Sequence, residues 1–337
     1  MVLLKLTLLS ICIVYIAACS PQPSNTYVEY QQRLSSVVEK DAPNNEELQQ
    51  LPHPNVDKPS SEVSLSIIEF ASINHCKLSQ LIAKKNNQLG KVWPASEALK
   101  YNIEFVQHVQ NCLDDPQTHD TAIKNKLIAV KKEKQLQFAQ SFEHMLFNEA
   151  ELSQLTYLTA SEIAFDRHLE QQTASLEALT ALSNLQAHLL HQATVNKINT
   201  DNITIALQKL HKNKFIPKLI TSTKQHILLN DTTTRWLNQI KISDELCPVG
   251  KNKKKAQILS NVFSKFYLEK LQPYQSQLTN MLEKASPLLF KLWSNHPDLA
   301  ESFNPEHTNS LLKQMKVSTV THVKWWQDFY KTCEIRP

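Results

Sequence analysis

Glycine occurs only twice in this 337-residue chain, at Gly90 and Gly250. Ordinary usage is roughly 7%. Tight hairpin turns, β-bulges and phosphate-cradling loops depend on glycine, because it enters left-handed backbone without a Cβ clash. With the two glycines so far apart, neither G-x-G-x-x-G, a Walker loop nor G-x-S-x-G can be written. The scarcity predicts an all-α fold and excludes several enzyme classes. The expected architecture is an irregular multi-helix bundle with antiparallel helical hairpins clamped by two disulfides.

The most informative internal stretch is Leu65 to Leu113. Its first arm places Ile67, Phe70, Ala71, Leu78, Leu81, Ile82 and Leu89 on one helical stripe. The second does the same with Leu99, Ile103, Val106, Val109 and Leu113. Gly90 is suited to end the first helix, and Pro94 disfavours helix at Trp93. Cys76 and Cys112 lie equally far on either side of Pro94, so an antiparallel turn there brings them level. A disulfide between them is expected, stabilising by roughly 4 kcal/mol on the chain-entropy estimate.

Residues 1–18 read as a signal peptide: Lys5, then an apolar run from Leu6 to Ile16 too short to span a bilayer well. The run ends in Ile16-Ala17-Ala18-Cys19, which resembles the bacterial lipoprotein signal. The resemblance implies that Cys19 becomes a lipidated N-terminus, carrying diacylglyceryl and usually a further acyl chain such as palmitate. Two or three chains anchor firmly where one does not. Ser20 rather than Asp follows, which implies sorting to the outer membrane.

Losing Lys5 lowers the formal charge of +4 by one, and such near balance argues against a nucleic-acid partner. Setting aside Cys12 and Cys19 leaves Cys76, Cys112, Cys247 and Cys333. An even count in an oxidising compartment reads as two disulfides. Three connectivities exist, and Cys76–Cys112 with Cys247–Cys333 is favoured. A zinc site is the alternative, but no C-x-x-C or close Cys/His cluster supports it.

Three divisions are expected: the signal peptide, a lipidated tether with a short helix and proline-containing linker over 19–63, and one helical domain over 64–337. Within them, helices are expected at Thr26–Lys40, from Asp120 to Asn148, over Thr156–Asn196 (interruptible), at Asp201–Lys212 and at Ile216–Ile240. The Thr232-Thr233-Thr234 run is weak for a helix. Lys253–Ser294 should be kinked or divided at Pro273 and Pro287, and Glu306–Cys333 should close the chain. Pairing Cys247 with Cys333 then calls for a bend, best placed at Pro273. The prolines of 41–61 favour an extended linker that wraps the body or holds it off the membrane.

Three blocks resemble a known family. They are Cys76-x3-Gln80-Leu81-Ile82-Ala83, then Asn86, with Leu89-Gly90-Lys91-Val92-x-Pro94-x-Ser96; Cys247-Pro248 with Asn261-Val262-Phe263-x2-Phe266-Tyr267 and Gln272-Pro273-Tyr274; and His322-x3-Trp326-Gln327 ending at Cys333. Together they resemble the bacterial domain-of-unknown-function family 3080, whose members are typically lipoproteins. Lys84-Lys85 departs from the acidic–basic pair of that family. The resemblance implies the lipoprotein state and the cysteine framework, and brings no catalytic residue with it.

Other candidates read blandly. His188 and His191 lack the carboxylate of H-E-x-x-H, so solvent-facing histidines are expected. Glu104 and His108 form an i, i+4 surface pair. Lys251 and Lys253 to Lys255 form a basic cluster for solvent or anionic headgroups. Gln80, Asn86 and Asn87 suit backbone capping near the turn. Trp325-Trp326 suit core packing, and Gln272-Pro273-Tyr274 a helix kink. No catalytic residue, metal or cofactor is expected. The function that fits is an uncharacterised envelope lipoprotein: a periplasm-facing binding or scaffold subunit held in the outer membrane through Cys19, with an envelope protein partner. The alternatives are an envelope enzyme acting on peptidoglycan or lipid, and a carrier for an apolar ligand.

Overall fold

A computed structural model describes residues 22–60, 66–165, 169–250 and 252–336. Among them are fourteen α-helices and no strand, the class the glycine scarcity predicts. The lipidation candidate Cys19 and the basic residue Lys251 lie outside the described residues.

Helix α1 (Pro23–Val38) starts on a proline, whose missing N–H would be unpaired there anyway. It stops at Glu39, where φ is 61° and the N–H returns to the Ser35 carbonyl. Its Tyr27, Tyr30, Leu34 and Val38 are buried. Residues 41–60 then run without regular structure across the body. Leu51 enters the main core, the His53 ring stacks on Tyr157, and the Val56 carbonyl accepts from His144 Nδ1 at 2.9 Å and Asn148 Nδ2 at 3.2 Å. The linker therefore wraps the body.

The hairpin comprises α2 (Ile67–Ala71), α3 (Lys77–Asn86) and α4 (Ala95–Asp114). Its first arm is not one helix. Ser66 and Glu69 form a capping box that starts α2. Ser72 to His75 then make turns, and extended Cys76 leads into α3. Cys76 and Cys112 are bonded, with Cα atoms 5.4 Å apart. Gly90 acts through closeness rather than a left-handed φ: a Cβ there would meet the Lys85 carbonyl oxygen at 2.0 Å.

Asp120 caps α5 (Thr121–Leu136), accepting from the Ala122 and Ile123 N–H groups. The helix expected through Asn148 is broken at Gln137, and α6 (Phe138–Asn148) follows with the short α7 (Ala150–Ser153). Residues 157–165 are not helical; α8 is Leu169–Leu190. Partners elsewhere in the fold replace helical bonds in that loop. The Thr159 N–H donates to Thr221 Oγ1, that of Ile163 to Ser222 Oγ, and that of Glu162 to Gln22 Oε1.

Helices α9 (Asp201–Leu210) and α10 (Phe215–Leu237) follow. The threonine run is helical because it is buried. Thr233 and Thr234 hydroxyls donate to the carbonyls four residues back, at 2.6 and 2.7 Å. Helix α11 (Lys254–Val262) passes through a wider π segment (Phe263–Leu271) into α12 (Gln272–Leu292). Neither proline divides this rod. The Gln272 N–H reaches back five residues to the Tyr267 carbonyl, a register change beside Pro273, which has no N–H to give. Pro287 lies within α12.

After α13 (Pro297–Phe303), α14 (Leu311–Cys333) runs back along the rod. Lys316 pairs with Glu283, Trp326 stacks on Phe263 at 4.3 Å, and Tyr330 meets Ser260 at 3.0 Å. Cys333 so meets Cys247 with Cα atoms 5.5 Å apart. No break at Pro273 is involved: α13 folds back on α12, so the return path starts short of the rod's far end. The core has a main cluster through α4, α6, α8–α10 and α12, and two smaller ones, each holding a disulfide. No helix of the described residues is long and apolar enough to cross a membrane.

Candidate binding cleft

The polar side chains of α10 converge on the π segment, α1 and α14. Asn230 is wholly buried, and its Oδ1 accepts from Tyr27 OH at 2.5 Å and Gln275 Nε2 at 3.1 Å. Gln275 Oε1 in turn accepts from Tyr267 OH at 2.9 Å. Beside them His322 is also wholly buried. Thr234 donates its proton to the Asn230 carbonyl, so its oxygen accepts from His322 Nδ1, 3.0 Å away. His322 Nε2 is then the acceptor, facing Tyr30 OH at 3.0 Å and the Trp326 indole N–H at 3.3 Å. Burial lowers the His322 pKa to about 3, and two donors aimed at Nε2 leave no place for a second ring proton. This network is neutral, satisfied and closed to solvent.

A cavity of about 870 Å³ opens alongside it between α1, α8, the π segment and α12. Thr26, Glu269, Lys270 and Lys284 line it, together with Phe165, Gln172, Tyr274, Gln277 and Met281. Gln277 Nε2 is buried with no hydrogen-bond partner. An unpaired buried donor costs free energy until something accepts from it. The Tyr274 hydroxyl is committed to the Ile163 carbonyl at 2.6 Å, so what Tyr274 offers the cleft is its ring.

Behind Tyr274 lies His226, its ring centroid 4.8 Å away. His226 is sealed, with neither ring nitrogen hydrogen-bonded. Glu162 Oε2 is 3.7 Å from His226 Nε2 and accepts from the Ser24 N–H at 3.0 Å. That carboxylate holds the first turn of α1, where a helix end favours negative charge. Neither residue lines the cleft. The cleft is lined by aromatic rings, amides and side chains of both charges, which is chemistry for holding a ligand.

The sequence candidates scatter. His188 lies on the wall of a separate cavity of about 420 Å³ and His191 is exposed. Among the described residues neither belongs to a metal-binding group. Glu104 bonds Thr200 at 2.8 Å, tying α4 to the start of α9, and its charge also acts on His108 one turn along. Gln80, Glu104 and His108 share a shallow groove of about 630 Å³. Asn87 accepts from the Gly90 N–H at 2.8 Å, a capping role, and Asn86 is exposed. Lys253 pairs with Glu334. Trp325 and Trp326 are core. The grouping of His75 with Cys76 and Cys112 offers no thiol, because both sulfurs are in the disulfide.

Of that candidate set, only the Gln272-Pro273-Tyr274 block touches this cleft. Missed were Gln277, Met281 and Lys284, although Pro273, Gln277, Asn280, Met281 and Lys284 recur at helical spacing and mark one face.

The fold and cleft define a disulfide-clamped, all-α protein with a solvent-open cleft. No curated protein and no solved structure matches the chain. It belongs to the family described as "Protein of unknown function (DUF3080)", which it matches over residues 27–337.

Proposed function

We propose that this is a lipid-anchored envelope protein that acts as a binding or scaffold subunit, held by Cys19 in the outer membrane with its body facing the periplasm. The observation that carries the reading is that Thr26 lines the cleft of about 870 Å³. Cys19 precedes Pro23 by so few residues that the link spans at most about 13 Å at ~3.3 Å per residue. Thr26 lies less than one helical turn further, on a helix whose buried Tyr27 and Tyr30 fix it to the core. An acylated Cys19 would hold this cleft close to the bilayer, where a membrane-associated partner or ligand is concentrated. The unpaired Gln277 amide and the cations Lys270 and Lys284 supply the polar recognition.

The test combines labelled palmitate, membrane fractionation and a photo-crosslinking residue in place of Asn280 at the cleft. The natural chain should take up label and fractionate with the outer membrane, Cys19→Ala should do neither, and the crosslinker should capture one recurring envelope protein. A soluble mature protein with unmodified Cys19 overturns the anchor. An intact anchor with nothing captured from Asn280 overturns the cleft as the binding face.

A further inference from the structure

The second site lies at the hairpin. A cavity of about 220 Å³ is enclosed by the linker, the end of α3, α4, α5 and α6, and is lined by Lys58, Lys85 and Lys134 together with Tyr101, Asn102 and Gln137. No carboxylate lines it. Among the described residues none of the three ammonium groups has an ion-pair partner; Glu133 is the carboxylate that acts on Lys134 through space, and it accepts from Gln137 Nε2.

Two of the three lysines are held in place, while Lys58, on the linker, is exposed. Lys134 Nζ donates to Asn102 Oδ1 at 2.8 Å and lies 4.7 Å from the Tyr101 ring centre and 5.2 Å from that of Phe105. Lys85 Nζ donates to the Gly90 carbonyl at 3.0 Å and lies 4.7 Å from the Trp93 ring centre. Aromatic faces stabilise a desolvated cation in part. They do not remove the repulsion between cations, and burial with neighbouring positive charge lowers the pKa of Lys85 and brings that of Lys134 to about 8. Free surface lysines would swing into water instead. The Gly90 contact fixes this arrangement: a side chain at position 90 would collide with the Lys85 backbone.

We propose that this pocket binds a small organic anion, with a phosphate or carboxylate group held by Lys58, Lys85 and Lys134 and an apolar body resting on Tyr101 and Leu99. An anion placed between three ammonium groups replaces repulsion with charge-assisted hydrogen bonds. The volume suits one oxyanion group and a few further heavy atoms, not a polymer. The site is separate from the cleft of α12 and operates whether or not Cys19 is acylated.

The experiment uses the full chain in detergent, with lysine side chains labelled for NMR. Inorganic phosphate, and then phenyl phosphate, is titrated against chloride at matched ionic strength. Phosphate should shift the Lys134 and Lys85 signals saturably and raise the Lys134 pKa by about one unit or more. Phenyl phosphate should bind more tightly through the ring. Lys134→Met and Lys85→Met should each weaken binding by about tenfold, the loss of one charge-assisted hydrogen bond, while Lys284→Met in the other cleft leaves it unchanged. Equal responses to phosphate and chloride, or undiminished binding in both hairpin variants with their folds intact, overturn the proposal. A carboxylate probe such as benzoate replacing phenyl phosphate at equal affinity assigns the carboxylate source rather than the phosphate one.

Discussion

In the region closed by Cys247–Cys333, one interior polar network is neutral and matched. Asn230, Gln275, Tyr267, Tyr30 and His322 satisfy one another within a dry cluster. In the region closed by Cys76–Cys112, the polar groups facing the small cavity are charged and alike: Lys58, Lys85 and Lys134 share it without a lining carboxylate. Both regions are helical, and each encloses a disulfide within its own apolar cluster. The difference separates two uses of buried polarity. A closed neutral network specifies one packing of α1 on the body. A like-charged pocket costs stability and is intelligible as a receptor for what it lacks.

The sharpest way to break the comparison is to open each disulfide. Cys247–Cys333 closes a separation of 86 residues and Cys76–Cys112 one of 36. On the chain-entropy estimate, replacing both cysteines by Ala costs about 4.6 kcal/mol for the longer loop and about 3.8 kcal/mol for the shorter. Urea unfolding, followed by Trp fluorescence, reads both. The C-terminal pair should also loosen α1, since Tyr27 and Tyr30 share its cluster, and so raise amide exchange there. The hairpin pair should leave α1 protected. Equal loosening of α1 by both would show the two regions to be one cooperative unit.

These pairings were legible for different reasons. Cys76 and Cys112 face each other because Pro94 lies midway and helices on either side have a fixed rise, so local rules sufficed. Cys247–Cys333 followed from the parity of the cysteines, and helical bonding continues past Pro273 because a π register absorbs the missing N–H. The helix expected from Thr156 failed because hydroxyls on α10 offer that loop's N–H groups partners no local pattern reveals. The neutral network was hidden similarly. Thr232 to Thr234 count as poor helix formers until burial and the His322 contact are seen. Neither cleft was legible, since Lys58, Lys85 and Lys134 meet only once the linker and three helices are packed.

A pH titration sharpens the contrast next. Burial holds His322 at about 3 in the folded protein, against about 6.5 for an unfolded histidine. The folded pKa is the lower one, so the unfolded chain takes up the proton first. The stabilising effect is complete above about pH 6.5 and is lost as pH falls toward 3. By pH 4 the loss amounts to about 3 kcal/mol relative to neutral pH. His322→Gln keeps a hydrogen-bonding side chain and removes the titration, so the difference between natural and variant stability should shrink across that window. A constant difference from pH 7 to 4 would mean that His322 is not held neutral by the network.

The smallest effect is opposite in sign and belongs to the hairpin. Lys134 has a folded pKa of about 8 against about 10.4 unfolded. The protonated form is therefore penalised by folding. The penalty is full below about pH 8 and is relieved as pH rises toward the unfolded value. Lys134→Met keeps the stem that covers Tyr101 and Phe105 and removes the charge, so at neutral pH the variant should be more stable by about 1 kcal/mol. The gain should fade between pH 8 and 10. Saturating phosphate should abolish it from the other side, by stabilising the natural protein and not the variant. A residue whose removal strengthens the fold, and whose cost an anion cancels, is one retained for binding. If Lys134→Met instead weakened the protein at every pH, the ammonium would be a structural contact to Asn102 and the rings, and the two regions would use polarity alike.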